Sequence, residues 1–473
     1  MNEFPGVHSL AVHISSGGQN IKVGTLAWSR VNRRAVFEYD PAFLEQGHDL
    51  SPWHLRRPGS ARQGLMAQAG PFDGLHGLFA DSLPDGWGRY LTDRRLAETE
   101  IDHRSLTPLD RLSLIGSGGM GALVYSPETA FPRLDKSISP RLAQAGIDID
   151  RIATEIETIQ MAVDGTSGLV DLDELYGLHG GSSGARPKIM AHEMADGRLG
   201  TGEAGSMPQW LIKFPARDDD PWIGNVEAAY AMMAGHAGIQ MPETRLFPSA
   251  DRNSAVSGFF GARRFDRAMG SSGIAGRRLV HTAAGLAHAD HRQPSFSYES
   301  LIAMTRHLTK DQLQVEEQFR RAVFNVLSSN RDDHTKNHAF LYDVPTKKWT
   351  LTPAYDLTPS AGMGGEHAMT IGGKGTSFDR SDLEVLATKA RIGPKAAGEI
   401  IDQVIEAIMK WHDFAGVCRV PQAAAKNIGN LQQSRINPAT KLPAMDFPPK
   451  KDGAGQLSSG NTRKNSRKRV PER

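Results

Sequence analysis

One polar stretch decides how this chain is interpreted: Asn330-Arg331-Asp332-Asp333-His334-Thr335-Lys336-Asn337. The residues before it repeat apolar side chains at the spacing of one helix face: Phe319, Ala322, Val323, Val326 and Leu327. The residues after it, 338–342, are typical of the start of a strand. The polar stretch is therefore predicted to be an active-site loop between a helix and a strand.

Two residues of this loop have the spacing of a catalytic pair. Asp332 is followed five positions later by Asn337. In protein kinases this spacing occurs in the catalytic loop, where the Asp accepts the proton of the acceptor hydroxyl and the Asn holds a magnesium ion. A polar turn that caps two elements explains the same residues equally well, so the rest of the chain has to decide.

Composition limits the class of protein. The chain has 473 residues, 39% of them hydrophobic, so it can bury a large core and is long enough for about two or three domains. Its formal net charge of +2 is almost neutral, which gives no whole-molecule field for nucleic acid or for an acidic surface. The single cysteine, Cys418, excludes an internal disulfide and argues against a structural zinc site.

The same composition favours a cytoplasmic protein without a membrane partner. A single thiol fits a reducing compartment. The sequence contains no run of about 18 apolar residues. Residues 1–6 lack the basic and apolar regions of a signal peptide.

The first hundred residues favour a small β-rich module. Apolar residues alternate within 10–14, 21–26 and 35–39, and the turn signals Gly17-Gly18 and Asn32-Arg33 lie between these runs. The stretch FADSLPDGWGR, residues 79–89, then predicts a turn that begins a helix. We predict no catalytic chemistry in it.

Two glycine-rich stretches follow. Residues 115–121 lack the Lys-Ser/Thr pair of a phosphate loop and lead into a strand-like run, so tight turns explain them. Residues 180–188 precede one strand-like run, and Lys213 lies in the next, as in the N-lobe of a kinase. There, glycines let backbone amides approach phosphates and the lysine neutralises nucleotide charge. In isolation, Lys213 would also fit a solvated strand end.

Two acidic residues complete a kinase-like order. Glu227 is predicted in the first turn of a helix capped by Asn225, where a carboxylate also favours the helix dipole. Asp356 follows the strand-like run 349–351, although an Asp in a Pro-rich turn is common. The order along the chain is that of kinases: glycine loop, Lys213, Glu227, Asp332, Asn337 and Asp356.

Six motifs together resemble the HipA-like serine/threonine kinases, the toxins of bacterial toxin–antitoxin pairs. They are FADSLPDGWGR (79–89), GGSSGARPK (180–188), LIKFP (211–215), RFDR (264–267), NRDDHTKN (330–337) and PAYDLTPS (353–360). The resemblance implies an α/β (α+β), two-lobed protein-kinase-like fold. We expect a β-rich N-terminal module at 1–130, a kinase N-lobe with the glycine-rich loop at 131–260, and a mostly helical C-lobe at 261–445. Residues 446–473 are predicted to be a basic, disordered tail.

The resemblance also assigns site residues. It implies that ATP is bound by Gly181, Ser182, Ser183, Gly184, Lys213, Glu227 and Tyr355. Asp332 would be the catalytic base, with His334 in the same catalytic loop, and Asn337 and Asp356 would hold Mg²⁺. Relatives autophosphorylate a serine of the glycine-rich loop. Alignment of this loop depends on a gap, so Ser182, Ser183 or neither takes that role here.

The implied reaction is transfer of the ATP γ-phosphoryl group to a protein serine or threonine. Relatives suggest a translation-related target such as an aminoacyl-tRNA synthetase, growth arrest of the persistence type, and a HipB-like DNA-binding antitoxin through which DNA is reached. Two alternatives stay open. The order Asp332, His334, Asn337 is also similar to phosphatidylinositol kinases, which would make the chain a lipid or small-molecule kinase. A non-catalytic, antitoxin-bound transcriptional regulator is the other.

Overall fold

The computed structural model describes residues 6–58, 63–98, 101–127, 146–161, 171–181, 184–201, 207–269 and 275–439. The first region contains β1 (Ser9–Ser16), β2 (Gln19–Ser29), β3 (Arg34–Tyr39), α1 (Pro41–Glu45), β4 (Leu65–Met66), α2 (Gly77–Ala80), α3 (Gly86–Glu98), a 3₁₀ turn (His103–Ser105), α4 (Pro108–Ile115) and β5 (Leu123–Pro127). Its five strands form an antiparallel sheet in the order β4-β3-β2-β1-β5. The alternation predicted for β1 is confirmed, because Leu10, Val12 and Ile14 are all buried.

A second antiparallel sheet carries Lys213. Its region contains α5 (Ile149–Met161), α6 (Leu172–His179), β6 (Lys188–Glu193), β7 (Leu199–Gly200), β8 (Gln209–Lys213), α7 (Ile223–His236), β9 (Thr244–Pro248) and β10 (Gly258–Arg263). The strand order is β7-β6-β8-β10-β9. Strand β10 crosses the predicted boundary at residue 260, so this sheet ends three residues later than the predicted N-lobe.

The remaining region is mainly helical. It contains β11 (Arg267–Met269), β12 (Ala275–Arg277), β13 (Leu279–Thr282), α8 (Ala283–Ala287), β14 (Phe296–Ser297), α9 (Tyr298–Thr309), α10 (Gln312–Ser328), a 3₁₀ turn (Thr335–Asn337), β15 (Ala339–Asp343), β16 (Lys348–Leu351), a 3₁₀ turn (Met363–Gly365), β17 (Met369–Thr370), α11 (Arg380–Lys389), α12 (Pro394–Met409), α13 (Trp411–Val417) and α14 (Gln422–Ala439). Helix α10 and strand β15 flank residues 330–337. The predicted helix–loop–strand junction is therefore confirmed.

Two apolar clusters make up the core. The larger one joins the first sheet to α7 and the C-terminal helices. The smaller one lies between the second sheet and α5 and α6, and it also contains Trp87 and Leu91 of α3. Helix α3 thus packs its apolar face against the second sheet, which fixes the N-terminal module relative to Lys213.

A buried carboxylate fastens the same module to the C-terminal region. Asp81, which ends α2, is hydrogen-bonded to His281 Nδ1 at 2.6 Å and accepts from the Thr282 N–H at 2.7 Å. The Thr282 hydroxyl donates to its second oxygen at 2.7 Å. Because β13 ends at Thr282, the hydrogen bonds from Thr282 to Asp81 hold the end of this strand against the N-terminal module.

The glycine-rich residues 115–121 form a structural turn, as predicted. Three N–H groups of Arg277 donate to the carbonyl oxygens of Ser117, Gly119 and Gly121, each at 2.9 Å. The Gly121 N–H donates to buried Asp266 at 2.8 Å. The turn's carbonyl groups therefore bind cations of the protein itself, an arrangement opposite to that of a phosphate-binding loop.

The predicted cap of α7 is wrong. The helix begins at Ile223, two residues before Asn225, and its N-cap position is occupied by Trp222. Asn225 is buried, donates to the Cys418 carbonyl at 2.7 Å and accepts from the Ser257 hydroxyl at 3.1 Å. Its amide satisfies tertiary partners, and Glu227 consequently lies in the second turn.

In the ranges given above, no helix combines the length and apolar character that crossing a bilayer requires. The basic tail at 446–473 lies outside the described residues.

Candidate active site

Three charged side chains from separate elements meet in one cluster. Lys213 ends β8, Glu227 lies in α7, and Asp356 follows β16. The Lys213 ammonium donates to Oε1 of Glu227 and to Oδ1 of Asp356. The side chains of Lys213 and Glu227 are 11% and 4% exposed, whereas that of Asp356 is 36% exposed. The cluster is therefore closed on the Glu227 side and accessible on the Asp356 side.

The pairing fixes the charges of the cluster. Burial alone would lower the pKa of Lys213, but the carboxylates of Asp356 and Glu227 raise it above its usual value. Burial alone would raise the pKa of Asp356, but the ammonium groups of Lys213 and Lys188 hold it well below its usual value. Lys213 and Asp356 are therefore an ion pair at neutral pH.

The backbone of Asp356 adopts an unusual conformation. Its φ of +54° lies in the left-handed region that residues other than glycine rarely adopt. The neighbouring Tyr355 hydroxyl donates to the Lys336 carbonyl oxygen at 2.7 Å. This hydrogen bond joins the turn after β16 to the loop before β15, so Asp356 is held beside the predicted catalytic loop.

Residues 330–337 close into a compact turn. The Asn337 side-chain nitrogen donates to the Asp332 carbonyl oxygen at 2.7 Å, and the Asn337 N–H donates to the His334 carbonyl oxygen at 2.9 Å. The Asp332 carboxylate lies 3.6 Å from His334 Nε2 and is 62% exposed. The structure thus brings Asp332, His334 and Asn337 together, with the Asp332 carboxylate accessible to solvent.

The surroundings of Asp332 increase its basicity. Partial burial raises the pKa of Asp332, and the carboxylates of Asp356 and Asp333 also raise it, while His334 opposes the change. A carboxylate with a raised pKa is a better proton acceptor.

Asp333, to which the sequence analysis gave no role, anchors the turn. Its buried carboxylate accepts from the Tyr298 hydroxyl at 2.6 Å and from the Ala368 N–H at 2.8 Å, and is hydrogen-bonded to His367 Nδ1 at 2.9 Å. Asp332 and Asp333 are identical residue types in adjacent positions. The sequence therefore offers no signal for which one is buried.

The second glycine-rich loop requires its glycines. Gly180, Gly181 and Gly184 have φ angles of +57°, +66° and +110°. A Cβ atom on Gly184 would overlap Nζ of Lys188. Ser182 and Ser183, the predicted phosphorylation positions, lie outside the described residues.

Lys188 adds a second cation that the sequence analysis quoted only as the end of a motif. It is buried at the start of β6. Burial, together with the nearby Lys213 ammonium, lowers the pKa of Lys188 to about 8, although the Asp356 carboxylate opposes the change. Lys188 therefore titrates close to physiological pH, unlike Lys213.

Asp85 is another residue that the sequence analysis missed. Its Oδ1 accepts from the Gly184 N–H, and its Oδ2 accepts from Lys336 Nζ at 2.6 Å. The turn before α3 thus reaches both the glycine-rich loop and the predicted catalytic loop. Lys336 lies 251 positions further along the chain, and a turn carboxylate carries no sequence signal of so distant a partner.

A large cavity is lined in part by the start of the second glycine-rich loop, Gly180 and Gly181. Its volume is about 980 Å³, and its lining includes Arg89, Arg111, His179 and Gly181. Lys213, Asp332 and Asp356 do not line it. The cavity is therefore separate from the ion cluster.

Two protein-family models match the chain. The HipA N-terminal domain matches residues 17–126, and the HipA-like C-terminal domain matches residues 180–412. This chain belongs to the HipA family. The resemblance inferred from the six motifs is thereby confirmed.

Three proteins illustrate what this HipA-family chain is similar to. "Putative kinase Y4mE" of Sinorhizobium fredii is 25% identical over 397 residues, which cover 79% of this chain and 86% of the relative. "Putative kinase" of Haemophilus influenzae is 28% identical over 154 residues, or 31% and 44% of the two chains. HipA of Shewanella oneidensis, solved with HipB and operator DNA, has a TM-score of 0.63 and 14% identity, covering 91% of this chain and 97% of that chain. This likeness concerns the fold alone, and the predicted fold class is confirmed.

The HipA-family chain offers oxygen donors suited to magnesium. The Asn337 nitrogen is bound to the Asp332 carbonyl oxygen, which directs the side-chain oxygen of Asn337 elsewhere. The side-chain oxygen of Asn337 and the Asp356 carboxylate are both hard oxygen donors, the type that Mg²⁺ prefers. Within the described ranges, no three His, Cys, Asp or Glu side chains converge as a metal-binding group. One amide oxygen and one carboxylate suit a metal ion that takes most of its ligands from water and phosphate oxygens.

Proposed function

We propose that this chain is an ATP-dependent protein serine/threonine kinase of the HipA type. One observation carries the proposal: the Lys213 ammonium is shared between the carboxylates of Glu227 and Asp356. Phosphoryl transfer needs a cation for the nucleotide phosphates, an oxygen ligand for a metal, and a proton acceptor near the acceptor hydroxyl. These residue types are the ones gathered here, and two relatives carry kinase names.

In this proposal, the triphosphate is bound by backbone and cationic groups. The glycine-rich loop, residues 180–184, is the proposed phosphate contact, since glycines let the backbone come close. Lys213, already charged and buried, neutralises the phosphates, and Lys188 adds a second positive charge. Tyr355 lies beside the nucleotide and keeps Asp356 in place through its bond to the Lys336 carbonyl oxygen.

Asn337 and Asp356 are the proposed metal ligands. A Mg²⁺ ion held there would neutralise the charge that develops on the transferred phosphoryl group. Mg²⁺ would compete with Lys213 for the Asp356 carboxylate, and the ATP phosphates would compete with Asp356 for the Lys213 ammonium. The 36% exposure of the Asp356 side chain makes that carboxylate accessible for the exchange.

Asp332 is the proposed catalytic base. It orients the acceptor hydroxyl and accepts its proton while the hydroxyl oxygen bonds to the γ-phosphorus and the bond from that phosphorus to the ADP oxygen breaks. Its raised pKa supports this role, and its exposure leaves room for a protein substrate. His334, 3.6 Å away, orients the carboxylate.

The proposed acceptor is a serine or threonine of a translation-related protein, such as an aminoacyl-tRNA synthetase, whose phosphorylation arrests growth. The Shewanella oneidensis HipA structure contains HipB and operator DNA. We extend this arrangement to the present chain and propose a HipB-like antitoxin partner, with DNA reached through that partner.

Asp332→Asn should remove most phosphoryl transfer while the fold and ATP binding stay unchanged. The substitution is nearly isosteric and removes only the proton acceptor, so we expect a loss of about 10²-fold or more. The measurement is incorporation of γ-labelled phosphate from ATP into cell-lysate proteins. Asp402→Asn is the matched control, because its carboxylate is similarly exposed, at 65%, and lies in α12. Wild-type activity in Asp332→Asn would contradict the assignment, and label in the organic-soluble fraction would point to a lipid kinase.

ATP affinity should fall by about tenfold as the pH rises from about 7 to about 9.5, because a one-unit rise in a group's pKa on binding is worth a factor of ten. The folded-state pKa of Lys188, about 8, places its loss of charge in this window. Lys213 keeps its proton throughout, since its pKa is raised. Calorimetric titration with Mg²⁺-ATP should show a flat pH profile for Lys188→Met and the original slope for the exposed control Lys348→Met. An unchanged slope in Lys188→Met would exclude Lys188 from the phosphate site.

Incubation with Mg²⁺-ATP should phosphorylate the glycine-rich loop, at Ser182 more often than at Ser183. A phosphate group adds a charge of about −1.5 to −2 beside the triphosphate, so aspartate at the modified position should lower ATP affinity. Intact mass and peptide mapping check this, with the Asp332→Asn chain as the inactive control. If active enzyme yields no phosphopeptide from residues 180–188, the chain is regulated in another way, such as by a bound antitoxin.

A further inference from the structure

One acidic side chain of the N-terminal module lies against the proposed kinase site. Asp85 accepts from the Gly184 N–H with one oxygen and from Lys336 Nζ with the other, at 2.6 Å. The side chains of Asp85 and Lys336 are 33% and 15% exposed. One carboxylate therefore joins the two loops between which the phosphates are proposed to lie.

The contact with the glycine-rich loop is two-sided. The Trp87 N–H donates to the Gly184 carbonyl oxygen at 3.2 Å. Both backbone polar groups of Gly184 are thus bound, one by Asp85 in the turn before α3 and the other by the first turn of α3. Gly86, between the two, has a φ of +45°, and a Cβ there would lie 2.6 Å from Ala185 Cα. Only glycine permits this close approach.

Helix α3 holds the turn in place. Trp87 and Leu91 are buried in the apolar cluster beneath the second sheet, together with Ile189 and Ile212. Because Ile212 directly precedes Lys213, the packing that positions Asp85 also positions the strand end that carries the buried ammonium. The backbone next to Asp85 is therefore held by the same apolar cluster as the end of strand β8.

Lys336 extends the contact to the proposed metal ligands. It directly precedes Asn337, and its carbonyl oxygen accepts from the Tyr355 hydroxyl, next to Asp356. A fixed Lys336 side chain therefore restrains the backbone on which Asn337 lies. Asp85 is bound to this lysine, so it is linked to Asn337 through Lys336 and to Asp356 through Lys336 and Tyr355.

The charge of Asp85 suits this position. Burial alone would raise the pKa of Asp85, but the Lys336 ammonium and the Gly184 N–H lower it below its usual value. The carboxylate is therefore ionised at neutral pH, and both of its hydrogen bonds are charge-assisted.

We propose that Asp85 is a positioning residue that fixes the separation between the glycine-rich loop and the catalytic loop, making the N-terminal module part of the nucleotide site. The proposal rests on the proposed kinase function. Asp85 acts through Gly184 and Lys336, which sets it apart from Asp332, the group assigned to the proton transfer.

The test compares Asp85→Ala with Asp73→Ala. Asp73 belongs to the same module, is 74% exposed, and has its nearest cationic atom, on Arg89, at 3.9 Å. In Asp85→Ala we expect the calorimetric Kd for ATP and the KM for ATP each to rise about tenfold, the loss expected from a charged hydrogen bond, with kcat changed by about twofold or less. Amide hydrogen exchange of the nucleotide-free chain should accelerate in residues 184–190 and 330–338. Asp73→Ala should change neither quantity.

A second variant, Lys336→Met, tests the route of the effect. If Asp85 acts partly through Lys336, the double variant should fall short of the product of the two single effects. Effects that multiply fully, or exchange rates equal to wild type in Asp85→Ala, would overturn the proposal. Tighter ATP binding by Asp85→Ala would also overturn it, since the carboxylate would then compete with the phosphates.

These measurements separate the proposal from the proposed function. Hydrogen exchange and calorimetric ATP affinity require no turnover. If the wild-type chain binds ATP but transfers no phosphate to protein, the kinase function fails, while the exchange and affinity data still decide the role of Asp85.

Discussion

A buried ammonium is stable only beside anionic partners, and Lys213 has two, Glu227 and Asp356. Removing one partner of a buried ion pair typically costs about 3–5 kcal/mol, because it leaves the other charge uncompensated. Strand β8, helix α7 and the turn after β16 therefore stabilise the fold by meeting at this point. The same contacts keep Lys213 charged, so the constraint on folding also prepares a cation for the phosphates.

One short stretch of the N-terminal module, residues 79–89, binds several distant parts of the chain. Asp81 fastens it to β13, Asp85 to two loops, and Trp87 to the core beneath the second sheet. Carboxylates four positions apart thus bind different parts of the chain. The first sheet is therefore coupled to the proposed site by specific hydrogen bonds in addition to apolar packing, which gives a physical reason for the module to accompany the two lobes.

Local patterns predicted the elements well, whereas contacts between distant residues could not be predicted. The alternation in β1 and the apolar stripe of α10 follow from burial of one face, which the sequence records directly. Asn225 was misassigned because asparagine favours helix caps, but its bonds to Cys418 and Ser257 outweigh that preference. Asp85 binds residues that lie 99 and 251 positions away along the chain. The periodicity of apolar residues gives no information about contacts over such distances in the sequence.

The central claim is that Mg²⁺ and ATP bind at the Lys213 cluster. A crystal structure of the full chain with Mg²⁺ and a non-hydrolysable ATP analogue tests it most directly. We expect the triphosphate along residues 180–184, Lys213 Nζ on a phosphate oxygen, and the metal ion on Asn337 and Asp356. An analogue bound elsewhere, such as in the cavity lined by Arg89 and Arg111, with Lys213 still paired to Asp356, would contradict it.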